Sequence, residues 1–111
     1  MKLLPILASA FAFQFSSVHL NEVVNQLQVD IKSNKFELLD LCHHYTSGMK
    51  AIFTQMSYES LLLIRQCIGG AGYSAWSGIP NLIEKFSPIV TLEGDNTVMA
   101  QQSCNYIMKQ T

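Results

Sequence analysis

Apolar side chains recur every three or four positions from the start of the chain, through Leu3, Leu4, Ile6, Leu7, Phe13, Phe15, Val18, Leu20, Val23, Val24 and Leu27. That period predicts a helix from about Leu3 to Gln28, and the polar run Asp30 to Lys35, with Ser33 and Asn34 inside it, predicts the turn that follows. A second helix begins near Phe36, its face traced by Leu38, Leu41, Tyr45, Met49, Ile52, Phe53, Met56, Leu63 and Cys67. Gly48 lies inside it at a cost of about 1 kcal/mol relative to alanine, which close packing against another helix would explain. Gly69, Gly70 and Gly72 stop that helix, because glycine favours left-handed or extended backbone and carries no side chain to pack.

Ser77-Gly78-Ile79-Pro80 then opens a short helix that runs to Phe86 and is ended by Ser87-Pro88, and Ile89 to Leu92 reads as briefly extended. The last helix has the clearest start, with Asp95 or Asn96 as its N-cap and Val98, Met99, Cys104, Ile107 and Met108 on a helical period. No run reads as a strand of useful length, and no repeat or linker interrupts the chain. The expectation is an all-α domain over residues 1–111, a partial antiparallel four-helix bundle.

Composition sharpens that picture. Apolar residues make up 49% of the 111 residues and charged residues only 14%, so the chain has the means to form a core and few charges to solvate its surface. The net charge of -1, with no block of either sign, argues against capture of nucleic acid or an anionic membrane. Cys42, Cys67 and Cys104 are odd in number and far apart, which predicts reduced, buried thiols and neither a disulfide framework nor a thiolate zinc site. His43 and His44 are adjacent and so diverge by about 100° on a helix, and His19 has no ligand-type residue four positions away; no metal site is expected.

The N-terminal run also reads as a secretory signal, with Lys2 ahead of an apolar stretch and an Ala-x-Ala pattern. Continuation of the apolar face as far as Leu27 favours a helix that simply goes on. The run is too short, and too soon interrupted by Gln14, Ser16, Ser17 and His19, to read as a bilayer span.

Two places invite chemistry. The Gly69-Gly70-Ala71-Gly72 turn lets backbone N–H groups approach a ligand, although no strand precedes it and a helix C-cap with a tight turn is the stronger explanation. Glu93 follows the apolar run Ile89 to Leu92 and precedes Gly94; partial desolvation there would suit it to taking a proton from carbon. From the local sequence alone, an acid ahead of a helix is better explained by the helix dipole.

Taken together, Gln66-Cys67-Ile68-Gly69-Gly70-Ala71-Gly72-Tyr73-Ser74, Ser77-Gly78-Ile79-Pro80-Asn81, Phe86-Ser87-Pro88 and Thr91-Leu92-Glu93-Gly94-Asp95-Asn96-Thr97-Val98-Met99 resemble, in order and spacing, the C-terminal helical region of acyl-CoA oxidases. Leu4-Pro5-Ile6-Leu7-Ala8 and Thr46-Ser47-Gly48-Met49-Lys50-Ala51 extend that resemblance over nearly the whole chain, and Gly-Asp-Asn-Thr-Val after the acid is similar to the oxidase branch rather than the dehydrogenases. The resemblance implies the bundle of the acyl-CoA dehydrogenase C-terminal type, FAD as cofactor, acyl-CoA and oxygen as substrates, a homodimer and a peroxisomal location. It implies Glu93 as catalytic base, Gly94 beside the thioester, Gln66, Gly69 and Gly70 in the loop that contacts the flavin of a neighbouring subunit, and Asp95 and Thr97 as further flavin contacts. Family members also carry an N-terminal helical domain, a flavin-holding β-domain and, in oxidases, a second helical domain. On that comparison residues 1–111 are one incomplete helical domain, inactive by itself, and a noncatalytic interaction module is the alternative.

Overall fold

A computed structural model describes residues 1–111, and its order is α1 (Leu3–Lys32), α2 (Leu39–Cys67), α3 (Ile79–Phe86) and α4 (Asn96–Gln110), with no strand. Short 3-10 turns at Gly69–Gly72, Ala75–Ser77 and Ser87–Val90 join α2 to α3 and carry the chain on toward α4. This is the all-α arrangement the periodicity predicts.

In α1 a seam of Ile6, Ser9, Phe13, Ser16, Leu20, Val23 and Leu27, spaced alternately three and four, is half-buried or buried. It lies along α2: Phe13 stacks on Phe53 with ring centroids 4.0 Å apart, and His19 meets Tyr45 edge-on at 5.9 Å. Rising numbers on one helix meet falling numbers on the other, so the pair is antiparallel. The helix runs four residues past Gln28, because Asp30 and Ile31 lend their carbonyls to the amides of Ser33, Asn34 and Lys35, and Asn34 takes the left-handed backbone at φ 58° that lets the chain reverse.

α1 also corrects one expectation: at 30 residues it is long and apolar enough to cross a bilayer, since the polar residues Gln14, Ser16, Ser17 and His19 do not interrupt it. Here it packs instead against α2.

α4 crosses the other side of α2, again antiparallel, with Asn96 beside Thr54 and Ser103 beside His44. A β-carbon added to Gly48 would sit 2.8 Å from the Ser103 hydroxyl, so that glycine does mark close helix packing. The buried face of α4 differs from the one its apolar pattern predicts. Asn96, Met99, Ser103 and Tyr106 turn inward, whereas Val98, Cys104, Ile107 and Met108 are exposed. Backbones this close admit only a small residue at position 103, and its hydroxyl and the Asn96 amide find partners on α2. Of the three free thiols only Cys42 is buried; Cys67 and Cys104 reach solvent, contrary to the expectation for all three.

Gly78, at φ 74°, leads into α3, with Pro80 in its first turn where no N–H partner is needed. Ile89 to Leu92 do not extend. The Pro88 carbonyl accepts the amides of Thr91 and Leu92 at 3.0 and 2.8 Å, which winds this apolar run into tight turns. α2 is thus the one element with contacts to α1, α3 and α4, and the bundle is partial, 56 Å long and 24 Å across.

Candidate active site

The segment ahead of α4 and the first turn of that helix hold four of the predicted site residues, Glu93, Gly94, Asp95 and Thr97. Asp95 is the N-cap: its backbone is extended and its carboxylate accepts the Thr97 amide at 3.0 Å, satisfying a donor the helix cannot. Asn96, the other candidate cap, is the first residue of the helix and turns its amide toward α2. Immediately before the cap, Glu93 stands at φ 60° and Gly94 at φ 114°. A left-handed glutamate is uncommon and costs roughly 1–2 kcal/mol, and such strain concentrates at functional sites.

Glu93 is exposed, so residues of this chain do not by themselves form the dry setting expected around it. Gly94 has a structural reason to lack a side chain, because a β-carbon there would lie 2.5 Å from the terminal methyl of Met99.

A polar clamp on α2 holds this segment. Lys50 Nζ donates to the carbonyls of Gly94 at 2.6 Å and Val90 at 3.3 Å, and to Asn96 Oδ1 at 2.7 Å. The Asn96 amide nitrogen donates to Thr54 Oγ1 at 2.9 Å, and that hydroxyl donates to the Lys50 carbonyl at 2.7 Å. Nothing in the local pattern of residues 46–56 distinguishes Lys50 from a solvated lysine on a helix, and its acceptors lie forty or more positions away.

The second cluster sits at the C-terminal end of α2. Gly69 has φ 70° and Gly72 is buried where a β-carbon would collide with the Arg65 carbonyl, so the turn needs glycine at both positions for different reasons. Gln66, Gly69 and Gly70 are exposed, and nothing lies within 4 Å of a β-carbon position at Gly69 or Gly70. This bare backbone fits the close approach of a flat or phosphate-bearing ligand such as a flavin nucleotide.

An open groove of about 810 Å³ is walled by Tyr58, Leu62, Arg65, Tyr73, Ile83, Pro88 and Thr91 among others, and none of the predicted site residues lines it. Arg65 precedes Gln66 and Thr91 lies two residues before Glu93, yet neither attracts notice in the sequence. Arg65 makes no ion pair.

The structure is thus an all-α domain with a left-handed acid just ahead of a helix and a bare glycine turn at the end of the central helix. The family model for the acyl-CoA oxidase C-alpha1 domain matches residues 1–108, and the chain belongs to that family. It is 39% identical to a peroxisomal acyl-coenzyme A oxidase 1 of Phascolarctos cinereus and 37% identical to the one of Homo sapiens, over 97% of this chain and 16% of each relative. The structure superposes on Arabidopsis thaliana acyl-CoA oxidase 1 with a TM-score of 0.94 and 33% identity, over 98% of this chain and 17% of that one. The chain therefore spans about a sixth of the length of these relatives.

Proposed function

We propose that this chain is the base-bearing helical domain of an FAD-dependent acyl-CoA oxidase that converts acyl-CoA to trans-2-enoyl-CoA in peroxisomal fatty-acid β-oxidation. The observation that carries the proposal is Glu93, an exposed carboxylate held in left-handed backbone ahead of Gly94 at the start of α4. Family membership and the names of the peroxisomal relatives support the substrate class and the location.

On this reading the Glu93 carboxylate removes the pro-R α-proton of the thioester, and the α–β double bond forms as the β-hydrogen departs as hydride. Gly94, without a side chain, leaves room for the thioester to lie against the backbone. An acyl chain laid over Glu93 strips water from the carboxylate and makes it a stronger base toward carbon. Gln66, Gly69 and Gly70 offer exposed backbone and amide to the FAD of a neighbouring subunit, and Asp95 and Thr97 lie at the other candidate contact. The bound flavin supplies the acceptor for the hydride and the route by which the electrons reach oxygen as hydrogen peroxide.

The test is a chimera in which residues 1–108 replace the matching segment of the human relative. It is expected to bind flavin and release peroxide with an acyl-CoA, and Glu93→Gln is expected to lower kcat about 100- to 10,000-fold with flavin still bound. A flavin-loaded chimera that releases no peroxide sinks the proposal. A noncatalytic interaction module is the second reading, favoured by the open apolar face of α1 that carries Leu4, Leu7, Phe11, Phe15 and Val18, and that outcome would support it.

A further inference from the structure

We infer that Lys50 is the positioning residue for Glu93, an inference that rests on the reading of Glu93 as the base. Its ammonium has three hydrogens and meets three oxygens, the carbonyls of Val90 and Gly94 and the side-chain oxygen of Asn96. Those three acceptors bracket Glu93: one lies three residues before it, one immediately after and one three residues after. The lysine thus grips the turn on both sides of the acid while making no hydrogen bond to the acid itself.

The turn needs such a grip. Glu93 and Gly94 both occupy positive φ, and an exposed turn with two left-handed residues in succession relaxes to commoner backbone unless its surroundings hold it. Three carbonyl-type oxygens pointing inward would repel one another, and a single cation converts that cost into charge-assisted hydrogen bonds. Thr54 completes the device. It accepts from the Asn96 amide nitrogen and donates to the Lys50 carbonyl, so Asn96 can present only its oxygen to the ammonium. The clamp also ties α4 to the central helix, and the direction in which the carboxylate leaves the turn is set from α2, more than forty residues away in sequence.

Lys50 touches neither of the predicted flavin-binding glycines. It does hold Gly94, with Asp95 and Thr97 in the same turn, so its loss is expected to misplace the base and to lower kcat by more than it changes cofactor or substrate affinity. A shift of about 1 Å at a reacting group costs on the order of 100-fold in rate.

The experiment uses Lys50→Met and Lys50→Arg in the chimera, with flavin content, KM and kcat measured separately, and hydrogen exchange of residues 90–97 followed in the same proteins. Lys50→Met is expected to lower kcat about 10- to 100-fold with KM changed less than about threefold, and flavin content is expected to hold. Exchange should quicken in residues 90–97 and stay unchanged along α1, and Lys50→Arg should recover part of kcat. Lys50→Met with kcat within twofold of the parent overturns the inference. So does a variant that loses flavin, KM and protection in all helices together, since that describes a merely structural lysine. Should the unsubstituted chimera be inactive, the oxidase reading fails while the exchange data still decide whether Lys50 holds the turn.

Discussion

At Glu93 the backbone stands at φ 60°, and the residue after it goes further, to φ 114°, where only glycine rests without strain. Gly94→Ala meets two obstacles at once, the forbidden backbone and the methyl of Met99 at 2.5 Å. The methyl can swing aside and the backbone cannot, so the strain decides. The variant is expected to lose about 1–3 kcal/mol of stability, measurable as a lowered midpoint in denaturant unfolding. An unchanged midpoint would mean that the turn adopts ordinary backbone in solution. The acid and its glycine were legible in the sequence, because their types and order sit in a run of linked motifs. Their geometry was not, since no local rule makes a glutamate left-handed; the Lys50 clamp that holds it there is forty to forty-six positions away.

Among the elements, α2 and α4 pack through Gly48 and Ser103, with the Ser103 hydroxyl 2.7 Å from Nδ1 of His44 and the His44 ring stacked on Tyr106. A branched side chain at Gly48 has nowhere to go but into Ser103, so Gly48→Val is expected to destabilise by about 1–3 kcal/mol in thermal unfolding. Pairing it with Ser103→Gly should recover part of that loss. No recovery would show that the contact is loose in solution. Gly48 was readable as a close approach, as was a cap at Asp95 or Asn96, of which the structure selects Asp95. The inward face of α4 was not. Its partners are polar groups on α2 up to 59 positions distant, and they turn Asn96 and Ser103 inward against the apolar period. Ile89 to Leu92 were misread for a related reason: a four-residue apolar run shows no period, and the Pro88 carbonyl settles its course.

For the molecule as a whole, the accessible surface of 7950 Å² exceeds the roughly 6,100 Å² typical of a folded monomer of 12.4 kDa. The Cα radius of gyration of 17.2 Å likewise exceeds the roughly 13 Å of a compact chain this long. α1 is apolar on two opposite sides; one faces α2, and the other presents Leu4, Leu7, Phe11, Phe15 and Val18 to solvent. The purified chain is expected to self-associate through that open face, and Leu7→Glu combined with Phe11→Glu should shift it toward monomer in sedimentation velocity without loss of helix signal. A parent chain that already sediments as a monomer would contradict this. The arrangement around α2 has a further meaning. In the language of networks α2 is a hub, with α1 and α4 each packed on it and sharing few or no contacts with one another. A change on the outer face of α1 can reach the candidate base only by way of α2, so substitutions there are expected to leave the Glu93 turn in place.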